Sequence, residues 1–107
     1  MRNNIIIQKL LAYTNKILGY CDGLSYEQFC DNSLLVEACV FNLSQMGELA
    51  HKADEEYTQV HKEIPWRYLY GLRNRIVHDY EGVNLQLIWE IISDDLNPLR
   101  DELKKIV

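Results

Sequence analysis

Apolar residues recur along this chain at helical spacing, so that everything reads as helices joined by short turns. Ile6, Leu10, Tyr13 and Ile17, spaced four, three and four apart, predict a first helix that stops near Gly19. Ser25-Tyr26-Glu27-Gln28 fits a capping box, in which the serine oxygen accepts from a backbone N–H and the glutamine reaches back, and predicts a short helical turn. Asp31, Asn32 or Ser33 then caps the next helix. From Leu34 to Ala53 the residues Val36, Ala38, Cys39, Val40, Leu43, Met46, Leu49 and Ala50 cover more than half of the helical circumference, the mark of a central helix with several neighbours. Asp54 to Glu63 reads as a polar connection, after which Pro65 suits the first position of a fourth helix, where its missing N–H would have no partner anyway. The last helix begins after Asn84 and carries Leu85, Ile88, Trp89, Ile92, Leu96, Leu99, Leu103 and Ile106 on one narrow stripe, with Pro98 expected to kink or restart it.

The expected fold is all-α, an up-and-down bundle of four main helices with a short extra helix, in one domain over residues 1–107. A chain of 107 residues has room for one modest core and none for a separate substrate domain. Apolar residues at 48% and charged residues at 25% are ordinary globular usage, so neither disorder nor a fibrous repeat is indicated. No apolar run approaches the roughly 20 residues that span a bilayer, and the start lacks the apolar stretch and cleavage site of a signal peptide, which points to a cytoplasmic location. Cys21, Cys30 and Cys39 are an odd number spaced nine apart, which suits neither a disulfide framework nor the close pairs of a zinc site; they read as small hydrophobes in or near the core. A formal net charge of −5 argues against nucleic-acid binding through a generally basic surface. Any such binding must rest on local charge.

Local cationic charge is concentrated in the fourth helix. On a helical wheel Trp66, Leu69, Ile76, Val77 and Tyr80 share one face, and Arg73 falls among them, an anomalous place for a guanidinium. Arg67, Gly71, Asn74 and His78 form a second, polar face, with Gly71 leaving room for an approach to the backbone. From the pattern alone Arg73 could be a buried or interface arginine paired with a carboxylate such as Glu48, and Tyr80 an ordinary core or interface tyrosine.

The run Arg73-Asn74-Arg75-Ile76-Val77-His78-Asp79-Tyr80 matches R-x-x-x-x-H-x-Y and resembles the HepT branch of the HEPN ribonucleases. Met46-Gly47-Glu48-Leu49-Ala50, Ile64-Pro65-Trp66, Gly71-Leu72, Gly82-Val83 and Trp89-Glu90-Ile91-Ile92 look similar to that family as well, while Glu81 departs from it. The resemblance implies a HEPN-like dimeric bundle that cleaves RNA without a metal or other cofactor, the RNA's own 2′-hydroxyl attacking the neighbouring phosphate. By the same resemblance Arg73 and His78 are catalytic, and Tyr80 accepts adenylyl groups from an MntA-type nucleotidyltransferase antitoxin that silences the toxin of a type VII-like pair. The residue types suit those roles. An imidazole with an ordinary pKa of about 6.5 can take or give a proton near neutrality, and a guanidinium stays charged and grips phosphate oxygens at two points. Asn74, one turn before His78, could orient its ring or the substrate. Five residues of ideal helix rotate Arg73 and His78 apart by roughly 140°, so either the helix ends near His78 or two chains contribute. The homodimer that the resemblance implies would bring Arg67, Arg73, Arg75 and His78 of both copies to one cleft and so answer the acidic net charge.

The other class of function compatible with these residues is a non-catalytic HEPN partner subunit that binds nucleotide or scaffolds a nucleotidyltransferase, and beyond it a plain interaction module. Glu48 and His51 form one Glu-x-x-His pair, whereas di-iron bundles need two pairs and two further glutamates, so no metal site is expected. His61 lies in a polar stretch without ligand-spaced partners, and no Gly-rich phosphate loop or nucleophile elbow occurs.

Overall fold

The computed structural model describes residues 2–76 and 84–107, and the elements are named for those residues. They are all helical: α1 (Asn3–Cys21), α2 (Tyr26–Cys30), α3 (Ser33–His51), α4 (Glu55–Val60), α5 (Trp66–Tyr70), α6 (Leu72–Ile76), α7 (Leu85–Glu90), a π-helical turn (Ile91–Asp95) and α8 (Leu96–Ile106). Four main helical segments with short extra helices match the expected bundle.

The first helix runs through Gly19 to Cys21, two residues past the expected stop, and the turn is made instead at Gly23, whose φ of 75° suits a residue without a side chain. Its buried face, Ile6, Ile7, Leu10, Thr14, Ile17 and Cys21, packs on α3 and α8. The buried Thr14 hydroxyl is satisfied by donating to the Leu10 carbonyl at 2.8 Å. α1 and α3 run antiparallel, as shown by three contacts along their length: Cys21 to Cys39, Thr14 to Met46, and Asn3 to Asp54 just beyond α3.

Both expected caps are present. Ser25 Oγ accepts from Gln28 N at 3.1 Å while Ser25 N donates to Gln28 Oε1 at 2.9 Å, and Asn32, of the three candidates, caps α3 by accepting from Leu35 N at 3.1 Å. α3 is central, contacting α1 on one side and α2, α5 and α6 on others, as its broad apolar surface requires.

Between α3 and α5 the polar connection contains a helix of its own. Glu55 and Glu56 occupy the first turn of α4, where the helix dipole favours negative charge, and Asp54 ahead of them exchanges two hydrogen bonds of 3.1 Å with Asn3. No residue of this helix is fully buried, and only the half-buried Tyr57 packs against the core. That is why hydrophobic periodicity did not reveal it. Trp66 Nε1 donates to the His61 carbonyl at 2.9 Å and ties this connection to α5.

Two further differences concern proline and glycine. Pro65 stands one residue ahead of α5 rather than within it, and Gly71 divides the expected fourth helix into α5 and α6. Pro98 lies inside α8, but the π-helical turn ends just before that helix begins. In the wider turn the Leu96 N–H donates to the Ile91 carbonyl, and both Ile91 and Ile92 are buried in the core. Among the described residues, no helix is long and apolar enough to cross a membrane.

Candidate active site

The helix pair α5–α6 crosses α3 at Gly47. A Cβ placed there would stand 3.0 Å from the Leu69 carbonyl oxygen, so glycine permits a backbone approach that any side chain would obstruct. Trp66, Leu69, Leu72 and Ile76 form the buried stripe of these two short helices. Leu72, not Arg73, takes the core position, because the spacing of three, three and four keeps 66, 69, 72 and 76 in register with the groove beside α3.

Arg73 is thereby displaced to the rim of the stripe. Its side chain is 68% exposed and meets Glu48 at 3.4 Å from Nη1 to Oε1, with the Glu48 side chain itself 53% exposed. The pairing with Glu48 read from the sequence exists, but as a surface contact. An ion pair this open contributes at most about 1 kcal/mol and is readily exchanged for another anion. Arg73 opens onto a shallow groove of about 580 Å3 along α3, lined by Val40, Phe41, Ser44, Gln45 and Glu48 among others. Phe41 on the rim is 59% exposed.

Arg67, Asn74 and Arg75 are also exposed, so α5 and α6 present three guanidinium groups on an otherwise acidic protein. Arg75 is the most constrained of them: its guanidinium carbon lies 5.1 Å above the centre of the Tyr68 ring, and the Tyr68 hydroxyl donates to Asp95 Oδ2 at 2.6 Å. Burial, then the hydrogen bond to Asp95, push the Tyr68 pKa well above the ordinary tyrosine value, with Arg75 opposing. This Arg75, Tyr68 and Asp95 chain fastens α5–α6 to the π-helical turn and was not anticipated. The spacing of seven between Tyr68 and Arg75, two helical turns, is the signal that could have exposed its first half. Gly71, expected to leave a gap, has the Arg75 Cδ 4.0 Å from where its Cβ would be.

His78 and Tyr80 lie outside the described residues. Arg73 and Asn74 are adjacent at the surface of α6, three residues or fewer from the end of the described segment at Ile76. His51, of the Glu-x-x-His pair, stacks on Tyr70 with ring centres 4.5 Å apart, and His61 Nδ1 lies 3.1 Å from Glu63 Oε1. Among the described residues no group of three His, Cys, Asp or Glu side chains is placed to hold a metal ion.

An exposed guanidinium run at the end of a short helix, on an all-helical bundle, is chemistry for gripping a phosphate backbone. The chain belongs to the HepT-like ribonuclease family, whose model, Ribonuclease HepT-like, matches residues 10–106. It is similar to a protein of Caldanaerobacter subterraneus subsp. tengcongensis provisionally named an RNase, 31% identical over 102 residues covering 89% of this chain and 91% of the relative. A protein of Thermococcus cleftensis provisionally named ribonuclease HepT is 25% identical over 83 residues, 78% of this chain and 76% of the relative. A provisionally named RNase of Methanocaldococcus jannaschii is 28% identical over 98 residues, covering 92% of this chain and 81% of the relative. No solved structure matches the chain.

Proposed function

We propose that this HepT-like ribonuclease is a cytoplasmic, metal-independent endoribonuclease, the toxin of a type VII-like toxin–antitoxin pair, acting as a homodimer. Arg73 holds the scissile phosphate and stabilises the charge that builds on it as the 2′-hydroxyl attacks. His78 carries the proton, as base toward that hydroxyl or acid toward the leaving oxygen. Asn74 positions His78 or the substrate. The observation that supports this reading is the exposure of Arg73: its only described partner is a solvated glutamate on a neighbouring helix, so phosphate oxygens can replace that partner without leaving a buried charge behind. A structural arginine would be enclosed. The exposed Phe41 beside Arg73 suits a second copy of the chain covering the groove, which would place further guanidinium groups near the substrate.

Tyr80 is the acceptor through which an MntA-type nucleotidyltransferase silences the enzyme. A phenol oxygen attacks an α-phosphate once its proton is removed, and the attached nucleotide adds fixed negative charge and bulk near Arg73.

The deciding experiment expresses wild type, Arg73→Ala and His78→Ala without any partner and follows growth and RNA integrity. Toxicity and RNA fragments from wild type alone are expected, with cleavage unaffected by EDTA and blocked by a 2′-deoxy substitution at the scissile position. Intact RNA with wild type would favour the non-catalytic partner subunit. Co-expression with the nucleotidyltransferase should add whole adenylyl units to wild type and none to Tyr80→Phe; no mass change on wild type would remove the modification from the account.

A further inference from the structure

Three cysteines nine residues apart read as unrelated small hydrophobes, but the antiparallel packing of α1 on α3 brings two of them together. Cys21 Sγ at the last residue of α1 lies 3.7 Å from Cys39 Sγ in the second turn of α3. Both are free thiols, and their surroundings differ. Cys39 is fully enclosed at 0% exposure, whereas Cys21, at 7%, lines an open cavity of about 550 Å3 with Asp22, Gly23, Trp89, Ser93 and Asn97. Cys21 thus borders that cavity, and Cys39 does not.

We propose that Cys21 and Cys39 form a redox pair that a hydroperoxide converts to a reversible intramolecular disulfide, Cys21 attacking and Cys39 resolving. In the first step the Cys21 thiolate attacks one peroxide oxygen and the O–O bond breaks. The sulfur becomes a sulfenic acid, and the leaving oxygen takes a proton to give an alcohol, or water from hydrogen peroxide. In the second, Cys39 sulfur attacks the Cys21 sulfur as its proton passes to the departing hydroxide. The S–O bond breaks, the S–S bond forms and water leaves. Two thiols thus supply the two electrons that reduce the peroxide, and a dithiol reductant reverses the bridge. The sulfurs must close from 3.7 Å to about 2.05 Å. The division of labour agrees with the local electrostatics. Hydrogen bonding from Cys39 lowers the Cys21 pKa against the opposing effect of burial, and the same bond, with burial, pushes the Cys39 thiol up. The bridge would close a loop around α2 and restrict the unfolded chain.

The test treats the reduced, purified full chain with hydrogen peroxide. The expected result is a mass loss of two hydrogens, a Cys21–Cys39 linked peptide on mapping, a melting temperature raised by roughly 10 °C, and reversal of all three by dithiothreitol. Cys30→Ala should behave as wild type, and Cys39→Ala should stop at a Cys21 sulfenic acid that dimedone labels. Should Cys39→Ala fail to fold by circular dichroism, Cys39→Ser serves the same purpose, and mapping of the wild type decides independently of either. Wild type that stays reduced in excess peroxide, gains oxygen without linking, or links through Cys30 or between chains overturns the proposal.

Discussion

The α1–α3–α8 assembly and the α5–α6 pair are built on opposite principles. α1 and α3 are 19 residues each, and their facing side chains, Ile6, Leu10 and Ile17 against Cys39, Leu43 and Met46, are enclosed completely. α5 and α6 are 5 residues each, too short to persist alone, and they are docked on α3 by four apolar side chains and a glycine crossing and tied to their other neighbours by the Tyr68–Asp95 and Trp66–His61 hydrogen bonds. Everything charged on them faces outward. The long helices bury most of the core, and the short ones carry the arginines at the surface.

That contrast is sharpest for Arg73→Ala. Cleavage of RNA should fall by about 10²–10³-fold in kcat/KM, as when an electrostatic contact to a transition state is removed. Denaturation should shift by less than about 0.5 kcal/mol, because the side chain is mostly in solvent. A large loss of stability would make Arg73 a packing residue after all. On the other side of the comparison, Leu43→Ala should cost about 2–5 kcal/mol in urea denaturation and lower the melting temperature strongly, since it empties a fully enclosed site. Activity per folded molecule should change little.

Gly47→Ala tests the joint between the two regions. The new Cβ meets a backbone oxygen at 3.0 Å, a strain of about 1–3 kcal/mol that outweighs the roughly 1 kcal/mol alanine gains over glycine in a helix. Cleavage should fall further than stability does, because the strained contact displaces the helix carrying Arg73; equal losses would show that α5–α6 follows α3 rigidly. The smallest effect is expected for Tyr68→Phe, about 1 kcal/mol near neutral pH from the lost bond to Asp95. Its pH dependence is more telling. The folded state holds the Tyr68 proton more tightly than the unfolded state, so this contribution is complete below about pH 10 and declines as pH rises beyond it. Comparing wild type with Tyr68→Phe in alkaline urea titrations should show a steeper decline for wild type; parallel curves would mean that Tyr68 ionises as freely folded as unfolded.

Much of this was legible in the chain itself. Capping at Ser25 and Asn32, the breadth of the central helix and the order of the main helices follow from interactions within a few residues, which a linear pattern records. So does the membership of the HepT-like family that the Arg73 segment's motif suggested, because a motif is a local fact of the chain. Other features were not visible. A wheel drawn through one uninterrupted fourth helix places Arg73 in the apolar stripe; the division at Gly71 and docking against α3 bring Leu72 inward instead. Likewise α4 has acidic residues in its first turn, no fully buried side chain and a single half-buried tyrosine, Tyr57, against the core, so no periodicity announced it.

The sequence by itself determined that the protein is an all-helical bundle and which of its segments carries the cluster of arginines, since both depend on neighbours along the chain. Tertiary structure alone decided that Arg73 faces solvent across from Glu48, that Gly47 is the point where the site's helices touch the core, and that Cys21 meets Cys39. Each of those depends on how two helices far apart in the chain are rotated and shifted against one another. Packing sets that relation, and the periodicity of either helix alone does not contain it.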